Sequence, residues 1–296
     1  MDLHPFLVRP LVEQAIREEL GPGDTTGGFL VDQRQRADAQ IYAKQDGVIA
    51  GLLLAEESIR AVDPEAVIRR AVRDGDMVRA GDTLLQVEAR AFALFIAERV
   101  ALDWLQYLSG IATRTRRYVE LVRPYGTRLT DTRKGVPGLR VLQKYAVRVG
   151  GAHNHLFGLH NAVLVKDNHI KAAGGIAEAV RLLRSRVQHT FKIELECETL
   201  EQVEEALKAG VEIIMFDNMT LENIRSGVKL VGGKAEIEAS GGINETTIVP
   251  IAETGVDIIS VGEITHSVRA LDISLDIAGI KPSALRQIAE NKAGLT

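Results

Sequence analysis

From Thr127 to Val261 the chain repeats one unit: a short β-prone run, a loop carrying charge or glycine, then a helix with apolar positions at helical spacing. The runs Thr127–Asp131, His160–Val165, Phe191–Glu196, Val211–Phe216, Ala235–Ala239 and Val256–Val261 read as strands. Helices are expected over Pro137–Val149, Ile176–Val187, Thr199–Ala209 and Leu221–Val231, and from about Asn244, where Pro250 delays or kinks the start. Leu139, Leu142, Tyr145, Ala146 and Val149 form the inward side of the first. Thr199 and Gln202 are spaced as a capping box, and Glu204 and Lys208 as a helical ion pair. Strands alternating with crossover helices imply a parallel sheet with right-handed connections. A barrel fits best, because charged or glycine residues follow nearly every strand.

The chain before this repeat reads differently. Val8, Leu11, Val12, Ala15, Ile16 and Leu20 have helical spacing, and Gly21 is a helix stop. In the following GPGDTTGG, Asp24, Thr25 and Thr26 either bond to their own turn or touch a ligand. Ala39–Ala43, Val48–Ala50, Val67–Val72 and Thr83–Val87 read as short strands, with Leu52–Val62 a helix packed on them. That describes an N-terminal α/β sandwich over residues 1–112, joined by 275–296, with the barrel domain over 113–274. Residues 91–110 form a helix apolar nearly all round, hence buried. Within it Arg99 and Asp103 either pair on one face or leave Arg99 pointing into an anion site of a neighbouring subunit.

Composition narrows the function classes. A net charge of −4 supplies no global basic field for nucleic acid, so anion binding must be local. One cysteine, Cys197, excludes an internal disulfide framework and suits a reducing compartment. No apolar run reaches a membrane span and no secretory signal is visible, so a cytoplasmic protein is expected.

The residues at the strand ends carry the chemistry: Asp131-Thr132-Arg133-Lys134, Lys166-Asp167-Asn168-His169, Glu196, Asp217-Asn218, Ser240-Gly241-Gly242 and Val261-Gly262-Glu263. In a barrel they share one rim. Lysines and an arginine beside carboxylates describe a site for an anionic substrate and a metal-bound phosphate. Glu196 and Asp217 are hard oxygen ligands of the kind Mg²⁺ takes; alternatively they pair with Lys134 and Lys166. The glycines of 240–242 and 261–263 suit a phosphate cradle. His153, His155, His160 and His169 lack zinc-site spacing, and His155 reads better as a hydrogen-bond donor to a carboxylate. No serine sits on a nucleophile turn.

These motifs resemble the quinolinate phosphoribosyltransferases. They are GPGDTT, ERVALDWLQYLSGIAT, DTRK, PGLR, KYAVR, NH, VLVKDNHI, IELE, MFDN, ASGGI and THSVRALDISLDI. The resemblance implies an α/β sandwich followed by an incomplete, seven-stranded type of α/β barrel. It also implies a homodimer or larger homo-oligomer in which one subunit's first domain closes the other's barrel. Quinolinate binding would fall on Arg99 (reaching the partner's site), Thr132, Arg133, Lys134, His155 and Lys166. Phosphoribosyl pyrophosphate and Mg²⁺ would fall on Lys134, Lys166, Glu196, Asp217, Ser240–Gly242 and Val261–Glu263. Lys134, Lys166, Glu196 and Asp217 would be catalytic. Two departures stand out: Leu156 occupies the usual place of an arginine after NH, and Gly135-Val136 replace two small polar residues after DTRK. A paralogue acting on another aromatic acid, a Schiff-base lyase using Lys166 or Lys134, and a non-catalytic relative are the alternatives.

Overall fold

The computed structural model describes residues 3–32 and 34–280 and divides within a single helix into two units, Arg114–Ser267 and the chain on either side of it. In chain order the first unit holds α1 (Pro5–Leu20), α2 (Gly27–Leu30), β1 (Arg36–Ala43), β2 (Gly47–Val48), α3 (Leu52–Val62), β3 (Val67–Arg70), β4 (Met77–Val78) and β5 (Thr83–Arg90), then the start of α4 (Ala91–Val122). The second continues with β6 (Arg128–Thr130), α5 (Arg140–Val149), β7 (Val163–Val165), α6 (Asp167–Ala173), α7 (Ile176–Arg184), β8 (Ile193–Cys197) and α8 (Leu200–Ala209). It ends with β9 (Ile213–Asp217), α9 (Leu221–Val231), β10 (Glu236–Ser240), α10 (Ile248–Ala252), β11 (Ile258–Ser260) and α11 (Glu263–His266). The last strand, β12 (Ile273–Ile280), returns to the first unit.

The first unit is built on a four-stranded antiparallel sheet in the order β12-β1-β5-β3, with β2 and β4 paired separately. Alternation along β1 and β5 sends Ala37, Ile41, Leu85 and Val87 into a core shared with Ile59 of α3 and Leu94, Ala97 and Leu105 of α4. Asp24 accepts hydrogen bonds from the backbone N–H groups of Thr26 and Gly27, so GPGDTTGG is a self-bonded turn. β12 pairs with β1 as far as Ile280, and the rest of 275–296 lies outside the described residues.

In the second unit all six strands are parallel, in the order β6-β11-β10-β9-β8-β7. A single parallel bridge from Thr130 to His153 adds the beginning of a seventh position beside β6. The architecture is therefore mixed α/β with an incomplete barrel. The two faces of its strands differ chemically. Leu129, Ile193, Leu195, Ile214, Phe216, Ile237 and Ile259 are buried apolar residues on one face. This is the helix side, because a Cβ on Gly227 of α9 would come within 2.6 Å of the Phe216 ring. The residues between them form the inner face and include Thr130, Glu194, Glu196, Asp217, Glu238 and Ser260.

Among the boundaries that depart from expectation, these have a local reason. α4 runs on to Val122 because Gly110 is not a stop: a Cβ there would come 2.2 Å from the Arg269 carbonyl oxygen, so glycine permits close packing inside the helix. α5 starts at Arg140 rather than Pro137, since Gly138 at φ 82° cannot be helical. β7 starts at Val163 rather than His160, because Asn161 Oδ1 accepts from the N–H groups of Phe157 and Gly158 and holds a turn. α6 falls where a loop was expected, capped by the Lys166 N–H donating to His169 Nδ1. Among the described residues, no helix is long and apolar enough to cross a membrane.

Candidate active site

All six parallel strands end on the same side of their sheet, and that rim gathers the sequence-derived residues of this unit. Asp131 follows β6, Lys166 follows β7, Glu196 and Asp217 stand in the last turns of β8 and β9, Ser240 closes β10, and Val261 follows β11.

The 131–134 loop is fixed from below. Asp131 is buried and accepts three hydrogen bonds: from Lys144 Nζ at 2.6 Å, from the His155 N–H at 2.8 Å and from Asn154 Nδ2 at 2.9 Å. Burial raises the Asp131 pKa and lowers that of Lys144, against an attraction that favours both charges. Thr132 Oγ1 accepts from the Lys134 N–H, and the Lys134 carbonyl accepts from Thr265 Oγ1. Arg133 and Lys134 thus reach solvent from a loop with little freedom. Gly135 lies where a Cβ would meet Gln143 Oε1 at 2.3 Å, which accounts for glycine after DTRK.

Lys166 Nζ lies 2.6 Å from Glu196 Oε2, joining the ends of β7 and β8. The adjacent Asp217 accepts from Asn218 Nδ2, while the Asn218 N–H donates to the Ser240 carbonyl. Asn218 has a left-handed φ of 53°, and Gly241 (φ 91°) packs so closely that a Cβ would be 2.3 Å from Asn218 Oδ1. Gly242 also has positive φ. The 217–218 and 240–242 loops are one interlocked piece. At the next strand end, a Cβ on Gly262 would come 3.2 Å from Lys134 Cδ, so the lysine stem passes directly over this glycine.

His155 turns inward. Its Nε2 lies 3.2 Å from Glu194 and 3.4 Å from Glu238, both on the inner face of the sheet. Burial of the ring opposes its charge, but the two carboxylates outweigh that and raise its pKa to about 10. The expected contact with a carboxylate is present, and its partners are the protein's own. These three side chains are a group able to hold a metal ion, unlike the set of four histidines. Glu196 and Asp217 present carboxylates at neighbouring strand ends on one face, an oxygen donor set that fits Mg²⁺.

Arg99 and Glu263 have partners of their own. Arg99 belongs to the first unit and pairs with Asp103 at 3.4 Å. The Glu263 carboxylate is taken by Arg114 at 2.8 Å and by the Tyr118 hydroxyl. Lys144, Asn154, Glu194 and Glu238 were missed. Their signal was available: IELE and EIEAS place a carboxylate at every second position of strands flanked by helices, which forces acids inside the barrel. Leu156 is buried and lines a cavity of about 670 Å³ with Leu159, Val163 and Arg133.

The comparisons with known proteins cover both units. Residues 24–109 match the quinolinate phosphoribosyl transferase N-terminal domain and residues 111–276 the C-terminal domain. The chain belongs to the quinolinate phosphoribosyltransferase family. It is 41% identical over 270 residues to a probable nicotinate-nucleotide pyrophosphorylase (carboxylating) of Bacillus subtilis, covering 91% of this chain and 93% of that one. A protein of the same description from Synechocystis is 42% identical over 276 residues, covering 92% and 93%. Among solved structures, NadC from Streptococcus pyogenes superposes with a TM-score of 0.91 at 39% identity, over 95% of this chain and 99% of that one. The fold of this chain is thus that of its relatives.

Proposed function

We propose that this chain transfers the phosphoribosyl group of phosphoribosyl pyrophosphate to quinolinate. Loss of one carboxylate gives nicotinate mononucleotide, CO₂ and pyrophosphate, a step of NAD biosynthesis. The observation that carries the reading is the convergence of Lys134, Lys166, Glu196, Asp217 and the 240–242 loop on one rim in a member of this family.

Both substrates are strongly anionic, and their approach needs cations where water is scarce. Lys134, Arg133 and Lys166 supply those cations, the first lying over Gly262 and the last held by Glu196. Backbone N–H groups at Gly241 and Gly242 suit the 5-phosphate. Glu196 and Asp217 would hold Mg²⁺, which when bound neutralises charge on the leaving pyrophosphate. The ring nitrogen attacks the ribose C1 as the C1–O bond to pyrophosphate breaks. The ring then carries positive charge, so the bond to the adjacent carboxylate breaks, CO₂ leaves, and the electron pair on ring carbon takes a proton from water. No side chain has to remove a proton from the nucleophile, in keeping with a site built of cations and metal-binding acids. As a Schiff-base amine Lys166 is poorly placed, since Glu196 engages its Nζ.

A homodimer or larger homo-oligomer belongs to the same reading, with Arg99 entering a partner's site. The Arg99–Asp103 pair is more than half exposed on both sides, which leaves the guanidinium accessible. A cytoplasmic setting is proposed on the single, buried Cys197, whose thiol is pushed up to about 12 by burial and nearby glutamates. The test is incubation with quinolinate, phosphoribosyl pyrophosphate and Mg²⁺, followed by product analysis. Nicotinate mononucleotide, CO₂ and pyrophosphate in equal amounts support the reading; a folded protein that forms none of them overturns it.

A further inference from the structure

The two lysines of the rim are held in different ways. Lys166 is fixed at its tip by Glu196, 2.6 Å away, whereas Lys134 forms no ion pair among the described residues. A point charge on a flexible aliphatic stem is aimed only if the base of that stem is fixed. For Lys134 the base is fixed by a buried relay between α5 and the loop after β11. Gln143 is 2% exposed and Thr265 3%. Gln143 Oε1 accepts from the Val136 N–H at 3.1 Å, and Gln143 Nε2 donates to the Thr265 carbonyl at 2.7 Å. Thr265 Oγ1 donates to the Lys134 carbonyl at 2.7 Å, and the Thr265 N–H donates to the Gly262 carbonyl. The Lys134 stem lies over that same glycine, its Cδ 3.2 Å from where a Cβ would stand. The circuit therefore runs from the 132–136 loop through Gln143 and Thr265 to Gly262 and back to Lys134. β6 and β11, which lead into the two loops, are neighbours in the sheet. The amide and the hydroxyl are away from water, so a bond lost at either goes unreplaced.

We propose that Gln143 and Thr265 are positioning residues that make the 132–136 and 262–265 loops one body, and so set where the Lys134 ammonium stands above the Gly262 turn. That Lys134 meets the phosphates of phosphoribosyl pyrophosphate there rests on the proposed function; the union of the two loops stands on the geometry alone. The side-chain types fit the task. Position 143 must accept from one backbone N–H and donate to one backbone carbonyl, and an amide has both groups. A glutamate would set an oxygen against the Thr265 carbonyl, and a leucine would supply neither bond. Position 265 needs only a hydroxyl, since its backbone makes the other two contacts. Because the relay grips Lys134 at its carbonyl, it acts without touching a substrate. A preset charge stabilises a bound anion only from the right place, and a shift of about 1 Å forfeits much of that advantage.

Two measurements test the two halves. Amide hydrogen exchange of the ligand-free protein reads the union of the loops. In Thr265→Val the 132–136 segment, which carries no substitution, exchanges about tenfold faster than in the wild type, and Thr265→Ser restores the slower rate. Gln143→Met, which speeds both loops, takes the place of Thr265→Val if that variant does not fold. Wild-type exchange over 132–136 in the folded variant overturns the proposal, whatever the enzyme does. Turnover reads the role of Lys134. Thr265→Val lowers kcat/KM for phosphoribosyl pyrophosphate about tenfold, through KM. In a Lys134→Ala background the same substitution costs less than about twofold, because its effect passes through that lysine. A purely structural loss would reduce the active enzyme equally in both backgrounds and leave KM alone. An equal loss in both backgrounds overturns the second half, with Lys134 no longer the residue that the joined loops serve. A wild type that turns over no phosphoribosyl pyrophosphate defeats the proposed function, and the exchange rates still decide whether the loops are one body.

Discussion

Lys144 Nζ sits 2.6 Å from Asp131 Oδ1, and the two side chains are 3% and 0% exposed. This pair ties α5 to the end of β6 beneath the loop that presents Arg133 and Lys134. Removing one partner strands the other charge away from water. Lys144→Met and Asp131→Asn are each expected to lower stability by about 3–5 kcal/mol. The double variant should recover a good part of that loss. Urea unfolding of the three proteins checks this, and additive losses would mean the pair is not the source.

Lys166 and Glu196 act on the same rim but are partly exposed, so their pairing contributes little to stability. Lys166→Ala, Glu196→Ala and Lys134→Ala should each reduce kcat/KM by about 10²–10³-fold with the melting temperature nearly unchanged. Unchanged turnover in any one of them would remove that residue from the site.

Gly241 has both a left-handed φ and Asn218 pressed against it. Gly241→Ala should therefore cost more than the roughly 1 kcal/mol of an ordinary unfavourable glycine replacement. Because Asn218 also bonds to Asp217, the displacement should raise the KM for phosphoribosyl pyrophosphate. Calorimetry and steady-state kinetics on one preparation would show whether the two effects arrive together.

The raised pKa of His155 has a definite sign in stability. The folded state keeps a proton that the unfolded state releases near 6.5, so the stabilisation is complete below that pH and is lost as pH climbs towards about 10. Over that window His155 takes away up to about 1.4 kcal/mol per pH unit. Denaturation midpoints at several pH values should fall more steeply in the wild type than in His155→Asn. Parallel slopes would contradict the assignment.

The strand-end residues were legible because their order along the chain is also their order around the rim. The parallel repeat converts sequence position directly into place. Side chains beneath the rim were harder to see. Gln143 and Lys144 are buried in α5, where helical periodicity points only to apolar residues. Gly110 closes the expected helix of 91–110 and is a contact within a longer one, because a glycine that ends a helix and one that admits a neighbouring backbone are identical in sequence. α6 has seven residues and too little periodicity to register. Glu194 and Glu238 were visible as letters, but their shared partner comes from a segment some forty to eighty residues away, which no local pattern encodes.

β1 lies between β5 and β12, one partner within the same N-terminal stretch of chain and the other beyond the second unit in sequence. As the chain leaves the ribosome, β1 and β5 can pair early, while the opposite edge of β1 must wait until the whole intervening unit has been made. During that interval a row of unpaired backbone groups on a hydrophobic strand faces the cell, open to any other chain with an edge to offer. A nascent or prematurely terminated copy ending before Ile273 would carry that unprotected edge permanently, which makes it the form of this protein most in need of a chaperone.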